Sequence, residues 1–410
     1  MTASYMIKRS FPVNSKLIKQ FFKFTLLQVA VLLLLSCSRQ KNDLKKIDIF
    51  KSETSMQNIS DLAEEITYTP LSSDSILSSI IKVIYSNGDY YILDNRSKFL
   101  RFDKSGRLLN QIGYRGSGPG EYYGISKFAI CHDTHEIFIA VTRQNQVMVF
   151  DPNGKFKRSI STARQSLSSI GVSDKNLLVF SFDSRKHENE NMELIDANGI
   201  VLKSFKNKYD FGRGPTILLS MGECLMYEFD RRLYFKEIFS DTVFYLVGEK
   251  MIPEFILGSG MRRLTPEKRT KINNLTNNSS SEIRESGITY VDQNKLFETA
   301  SFLFYQYSFN GESKVLIYNK STGQQYLNDL SNGFINDLDG GPHIIPIMTK
   351  DNNTIISWIN AFKLKQYIES DAFKNAVPKY PEKKKSLEKL ANSLSDNDNP
   401  VLILVRMKEK

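Results

Sequence analysis

The chain is poor in the side chains that hold disulfide-rich folds and metal centres together. Its 410 residues include three cysteines and four histidines. Three cysteines are too few for the framework of a disulfide-stabilised fold, and a closed zinc site needs three or four protein ligands. The catalytic patterns GxSxG and HExxH are missing as well, so no catalytic residue and no cofactor is predicted. With 41% apolar residues, the chain is instead able to bury a large core.

Long hydrophobic runs are also missing, with one exception near the amino terminus. The run "FTLLQVAVLLLLSC", from Phe24 to Cys37, follows a basic segment. It is short for a membrane span but suits the core of a signal peptide. Because it ends in "LLSC", which matches the bacterial lipobox, we predict a lipoprotein signal peptide over residues 1–36, lipidation of Cys37 and a polar tether over 37–60. An ordinary signal peptide or a single anchor helix are the alternatives.

Charge is not concentrated in a nucleic-acid-binding stripe. The formal net charge is +10, but residues 1–36 contain five basic residues and no acidic one. Without them, 50 basic and 45 acidic residues remain, and no dense Lys/Arg patch stands out. We therefore expect no nucleic-acid partner. Two cysteines then remain, Cys131 and Cys224. Their separation favours two buried small side chains over a bridge, although an exported protein could form one.

What the sequence does contain is a repeat of short strands. Three segments have the same order of strand, polar loop, strand, turn and strand, and they span residues 90–112, 137–160 and 177–205. Their turns read "DKSG", "DPNG" and "DANG", which favours β-hairpins. A period in the forties with several strands per repeat is typical of a β-propeller.

Later segments continue this pattern to the end of the chain. They predict an all-β, six-bladed propeller over residues 61–410, with helical insertions near 263–285 and 361–394. An open ring would expose unpaired strand edges. We therefore expect Glu65–Ser72 and Val401–Met407 to share one blade and close the ring.

Several motifs together resemble those of the six-bladed β-propeller lipoproteins of Bacteroides and its relatives, a largely uncharacterised group. They are the lipobox, "YTPLS", "FLRFDKSGRLLNQIGYRGSGPGEY", "SDTVFYL", "IPEFIL", "DLDGG" and "DNPVLILVRMK". The segment "GSGPGEY" is also similar to the glycine-rich joint of NHL-type repeats. The resemblance implies a lipid-anchored envelope protein at the outer membrane but no reaction. Since "SRQKND" after Cys37 lacks a dense acidic run like the surface-export signals of these bacteria, the periplasmic leaflet is favoured over the cell surface.

The segment "GYRGSGPGEYYG", residues 113–124, is a candidate ligand site. It has neither the lysine of a phosphate-binding P-loop nor the βαβ context of a dinucleotide site. Glycine recurs at comparable joints of other repeats, such as "FGRGP" at 211–215, which favours a connector between blades. A connector requires glycine but not the charged and aromatic side chains that this segment also contains. Four of these residues could line a ligand surface: Arg115, Glu121, Tyr122 and Tyr123. The alternative is that the two charges pair locally and the tyrosines pack between blades.

Metal sites are weaker interpretations of two polar turns. The segment "CHDTHE" offers His132, Asp133 and His135 as ligands, but it lies between two predicted strands, where a hydrated turn is expected. The segment "DLDGG" offers two carboxylates for calcium, and a turn is again the favoured interpretation.

Two functional classes follow. The first is a monomeric, membrane-anchored binding or scaffold module whose face loops recognise an envelope protein, a peptide or a glycan. The second is a metal-dependent hydrolase or lyase acting on a carbohydrate or lactone at the channel mouth. The second class requires at least three acids, asparagines or histidines to converge on the channel axis.

Overall fold

The computed structural model describes residues 44–51, 55–141, 144–162, 167–173, 178–182, 190–209, 223–273 and 289–409. Apart from Leu44, all of them belong to one compact unit, Lys45–Lys410. The predicted signal peptide, the lipidation site Cys37 and the glycines at 211–215 lie outside the described residues.

Among the described strands, six sheets of four or five strands are the blades of a propeller, and a short two-stranded sheet lies in the loop between blades 1 and 2. Within each blade, antiparallel strands follow one another along the chain from the inside outward, except for two strands that are added from the amino-terminal part. Blade 1 consists of β3 (Ile80–Ser86), β4 (Asp89–Asp94), β5 (Phe99–Asp103) and β6 (Leu108–Gln111). Blade 2 consists of β9 (Ile125–Ile130), β10 (Ile137–Val141), β11 (Gln146–Phe150) and β12 (Phe156–Ser161). Blade 3 consists of β13 (Leu167–Val172), β14 (Leu178–Phe182), β15 (Glu190–Ile195) and β16 (Val201–Lys206).

The remaining three blades follow the same plan. Blade 4 consists of β17 (Cys224–Phe229), β18 (Arg232–Glu237), β19 (Thr242–Val247) and β20 (Lys250–Gly258), with β1 (Lys45–Asp48) added outside. Blade 5 consists of β21 (Asp292–Glu298), β22 (Phe302–Phe309), β23 (Glu312–Asn319) and β24 (Gln325–Asp329). Blade 6 consists of β25 (Met348–Asp351), β26 (Thr354–Ile359) and β27 (Val401–Met407), with β2 (Ala63–Pro70) outermost.

The ring is closed by strands from both ends of the chain, as predicted. Strand β2 pairs antiparallel with β27, with Ile66 opposite Val405. Three strands of blade 6 thus come from the carboxyl-terminal part and the fourth from the amino-terminal part. This pairing places β27 inside the sheet and makes β2 its outer strand, so that both ends of the chain hold one blade together.

The predicted turns between the third and fourth strands are stabilised by their aspartates. The Asp103 carboxylate accepts hydrogen bonds from the backbone N–H groups of Ser105 and Arg107, and these bonds, with the Ser105 hydroxyl, lower the pKa of Asp103 to about 2. Gly106 in this turn has a φ of +87°, and a Cβ there would lie 2.1 Å from the Pro70 carbonyl oxygen. Glycine is therefore required both by the backbone angle and by the close approach of blade 6.

The predicted polar tether over residues 37–60 differs from the structure in its described parts, 44–51 and 55–60. Strand β1 pairs in parallel with β20, and Ile47 and Ile49 are buried between blades 4 and 5. Further along, the Ser60 N–H and hydroxyl both donate to the Asp337 carboxylate near blade 6. Residues 44–51 and 55–60 therefore form part of the outer wall of the propeller, because their isolated isoleucines gain burial there.

Two insertions are helical. Helix α1 (Pro266–Asn273) follows blade 4, and its buried Arg269 makes a two-pronged ion pair with Glu223. Helices α2 (Ala361–Glu369), α3 (Asp371–Asn375) and α4 (Pro381–Ser393) lie between β26 and β27. They share a small core with blade 6 that includes Leu364, Phe373 and Leu387.

The hydrophobic core lies between neighbouring blades. For example, the rings of Phe99 in blade 1 and Phe128 in blade 2 have centroids 4.4 Å apart. Cys131 and Cys224 are both buried, in separate clusters.

Strand order gives the propeller two different faces. One face carries the connections between first and second strands and between third and fourth strands. We call it the turn face, because these connections are short, for example 87–88, 230–231 and 248–249. The opposite face, the connection face, has the links between blades and between second and third strands. These include 112–124, 330–347 and the helical segment 360–400. Candidate residues can therefore be placed on one face or the other.

Candidate functional site

The loop at 113–124 links blade 1 to blade 2 and is held rigidly by Tyr122. This side chain is 1% exposed, packs edge-on against Phe150, and its hydroxyl donates to the Ile112 carbonyl oxygen at 2.8 Å. Burial raises the pKa of Tyr122. The prediction of Tyr122 as a ligand contact is therefore wrong, because the ring belongs to the core between blades 1 and 2.

Glu121 is also occupied within the loop. Its Oε2 accepts a hydrogen bond from the Gly118 N–H at 2.8 Å. A Cβ at Gly116 would lie 2.0 Å from the same oxygen, so this glycine is needed to let the carboxylate fold back. The short parallel pair β7 (Tyr114–Arg115) and β8 (Glu121–Tyr122) closes the loop. Glu121 thus shapes the loop through one of its carboxylate oxygens.

Arg115 and Tyr123 remain exposed, and the structure adds Tyr114 to them. Tyr114 is 61% and Tyr123 is 64% exposed. The loop packs on Phe150 and Phe156, which lie on the third and fourth strands of blade 2. The exposed trio of Tyr114, Arg115 and Tyr123 therefore lies over the outer part of blade 2 and away from the channel axis. The sequence alone had not indicated this position.

The turn 131–136 lies on the turn face, and its three candidate ligands have different surroundings. His132 Nε2 lies 2.6 Å from Glu228 Oε2, and its Nδ1 lies 3.4 Å from the Ser86 hydroxyl. The hydrogen bond to Glu228 raises the pKa of His132. Asp133 pairs with Arg231 at 2.6 Å, whereas His135 has a positive φ of 58° and a buried Nδ1 without a hydrogen-bond partner among the described residues. The three side chains do not converge as a ligand set.

These contacts extend across the mouth of the channel. Asp133 and His132 belong to blade 2, whereas Glu228 and Arg231 belong to blade 4, and blade 3 lies between them. Similarly, the Asp230 N–H of blade 4 donates to the Asn352 side-chain oxygen of blade 6 at 3.4 Å. Bonds between blades that are not neighbours must cross part of the channel opening. The channel is therefore bridged on the turn face.

Among the described residues, no group of three or more His, Cys, Asp or Glu side chains is arranged to hold a metal ion. In the "DLDGG" segment, Asp339 is buried and accepts hydrogen bonds from the Asn336 side chain and the Gly341 N–H, while Asp337 bonds Ser60. The two carboxylates stabilise the turn and its contact with the amino-terminal segment.

Lysines are the distinctive polar groups of the first strands, which surround the axis. Lys82 of blade 1 donates to the Phe128 carbonyl oxygen at 2.8 Å, and its ammonium lies 4.8 Å from the centre of the Phe128 ring. Burial and the nearby Lys127 lower the pKa of Lys82 to about 8, partly offset by Glu228. These contacts orient the Lys82 ammonium, but none of them is an ion pair with a carboxylate that would neutralise its charge.

Two further lysines occupy matching positions in blades 2 and 5. Lys127 is half-buried, and burial lowers its pKa. Lys295 is exposed to solvent, yet the protein around its ammonium lowers its pKa to about 8. Exposure to solvent together with a pKa lowered by the surrounding protein is expected of a side chain that lines a channel. Neither ammonium has a hydrogen bond or ion pair to any residue in the described ranges.

The sequence contains a signal for the positions of these lysines. Each one immediately precedes a core residue of its first strand, namely Val83, Phe128 or Leu296. Lys82 lies four residues, and Lys127 and Lys295 lie three residues, before the end of the strand at the turn face. At about 3.3 Å per residue, all three lie at a similar depth of roughly 10–13 Å in the channel.

The family follows from a match over nearly the whole propeller. A family model described as a domain of unknown function, DUF4934, matches residues 44–406. The chain belongs to the DUF4934 family. No curated protein matches it.

Two solved structures are similar to this DUF4934 chain. A Bacteroides fragilis protein inferred to be exported has a TM-score of 0.70 and 20% identity, over 89% of this chain and all of the other. A member of the DUF4221 family from Bacteroides vulgatus has a TM-score of 0.49 and 11% identity, over 85% of this chain and 97% of the other. At this level of identity, the first similarity shows the six-bladed fold alone.

Proposed function

We propose that the protein is an exported, lipid-anchored binding module that docks an envelope protein on the exposed surface over the outer part of blade 2. The propeller fold, the similarity to a Bacteroides protein inferred to be exported, and the hydrophobic run that ends in Cys37 support this proposal. No helix in the described part of the chain is long and apolar enough to cross a bilayer.

The observation that carries the binding role is the exposed trio of Tyr114, Arg115 and Tyr123. Tyrosine and arginine are the residue types that most often dominate the binding energy of protein interfaces. Large exposed aromatic rings lose little entropy on binding when the backbone below them is already fixed. Here Tyr122 and Glu121 fix that backbone.

Capture from solubilised envelopes tests the binding role. We expect the full-length protein to retain a defined partner, and Tyr114→Ser combined with Tyr123→Ser to reduce its recovery at least tenfold, as loss of two interface anchors would. Arg115→Ala should have a smaller effect in the same direction. Val247→Ser, which alters an exposed side chain at the turn face, is the matched control. Equal recovery with all variants would contradict the proposal.

Lipidation has its own test. Metabolic labelling with an alkyne fatty acid should mark the wild-type protein and not Cys37→Ser, and the variant should leave the membrane fraction because the anchor is lost. Ser38→Ala is the matched control and should stay labelled and membrane-bound. Membrane-bound, unlabelled wild-type protein would show a different anchor. Protease treatment of intact cells then distinguishes the periplasmic leaflet, which we favour, from the surface.

A further inference from the structure

We propose that the central channel is a binding site for a small multivalent anion, held by Lys82, Lys127 and Lys295. This site is separate from the docking surface at Tyr114, Arg115 and Tyr123 and does not depend on it. The ligand we infer is a small molecule with two or more carboxylate or sulfate groups.

The first support is an uncompensated positive charge. The three lysines lie on the first strands, which line the channel, and Lys295 is exposed and Lys127 half-buried there. Among the described carboxylates, Glu228 alone raises the pKa of one of these lysines, Lys82. Glu228 is already bonded to His132. Partly desolvated cations without counter-charges are costly for a protein to maintain. A bound anion would offset that cost.

The second support is the arrangement of the three blades. The ring order follows the chain, with each first strand beside the next, so blade 5 lies opposite blade 2 and blade 1 is adjacent to blade 2. Lys127 and Lys295 therefore face the channel from opposite sides, and Lys82 stands beside Lys127. A ligand with one charge reaches one side only. A ligand with anionic groups at both ends can satisfy both sides at once.

The third support is the route of entry. The contacts of His132 with Glu228 and of Asp133 with Arg231 bridge the turn face. The lysines lie deeper along the same strands. A ligand is therefore expected to enter from the connection face and stop above the bridged end, next to the lysines.

The choice of lysine also fits this chemistry. An ammonium is a compact point charge on a flexible stem, so it adapts to carboxylate, sulfate or phosphate groups without a fixed orientation. Arginine would favour planar, two-pronged contacts. The site is thus selective for the number and spacing of charges more than for one type of anion.

Calorimetric titration of the full-length protein tests the proposal. The probes are citrate, trigalacturonate and inorganic sulfate, with neutral maltotriose as the ligand control. We expect saturable binding of citrate or trigalacturonate, weaker binding of sulfate, and none of maltotriose. Affinity should fall with added salt, because the contacts are ionic. Failure of all three anions to bind saturably would overturn the proposal.

Variants assign the binding to the channel. Lys127→Gln and Lys295→Gln should each weaken binding of the multivalent probe at least tenfold, whereas Lys295→Arg, which keeps the charge, should weaken it less. Lys104→Gln removes an exposed lysine in a turn and is the matched control. Equal binding by Lys104→Gln and the channel variants, or equal loss in all three, would overturn the assignment. Partner capture through Tyr114 and Tyr123 should persist in the lysine variants, so failure of either proposal is recognised separately.

Discussion

At the scale of the residue, His132 shows how one side chain can join blades 1, 2 and 4. Its two ring nitrogens contact Ser86 and Glu228. Because the Glu228 hydrogen bond raises the pKa of His132 in the folded protein, the imidazolium is favoured there. The resulting stabilisation is complete below the unfolded pKa of about 6.5 and is lost as the pH rises through the folded pKa.

The His132→Asn variant should therefore be destabilised in a pH-dependent way. We expect a loss of about 0.5 kcal/mol in the free energy of unfolding at pH 5.5, since the pair is partly exposed, and a smaller loss at pH 8. His343→Asn, at an exposed histidine that contacts the Asn332 carbonyl oxygen, is the control. Urea unfolding at both pH values measures the difference. An equal loss for His132→Asn at pH 5.5 and pH 8 would argue against a charged pair.

The same scale shows why the candidate loop could be only half predicted from sequence. The composition of 113–124 indicated a connector, and the structure has one. It could not indicate which tyrosine is buried, because Tyr122 and Tyr123 are adjacent and of the same type. The outcome depends on Phe150, which lies 28 residues further along and receives the Tyr122 ring edge-on. Tyr114 was missed for the same reason.

At the scale of the element, strand β1 is the main difference from expectation. Its sequence, "KKID", has a single apolar residue, and Ile49 follows two positions later. Alternation over two apolar positions is too short to distinguish a strand from a polar linker. What decides the structure is the edge of β20, which offers unpaired backbone groups and a cleft between blades 4 and 5.

Substitution of Ile47 tests this element. Ile47→Ala should lower the free energy of unfolding by about 2–4 kcal/mol, because it leaves a cavity at a buried site. Lys46→Ala, on the exposed side of the same strand, should change it by less than about 0.5 kcal/mol. Chemical denaturation of the full-length protein compares the two. Similar small effects of both substitutions would mean that β1 behaves as a tether.

At the scale of the whole molecule, the sequence predicted the fold well because its repeats carry their own turn signals. The aspartates and glycines of "DKSG", "DPNG" and "DANG" recur at a constant phase, and ring closure follows from the need to cover strand edges. The lysines of the channel could not be placed in this way. Their register depends on β-bulges next to them, between Ile80 and Lys82 and between Gln293 and Lys295.

The charge of the channel is the central claim of this account, and the pKa values of its lysines test it most directly. Dimethylation of the lysines with a ¹³C label allows each to be titrated by NMR, with Lys82→Arg and Lys295→Arg variants for assignment. We predict that Lys82 and Lys295 titrate near pH 8, well below their ordinary value of 10.5, and that citrate raises both values. If Lys82 and Lys295 instead titrate near their ordinary value of 10.5, and citrate leaves them unchanged, the channel is not an uncompensated cationic site.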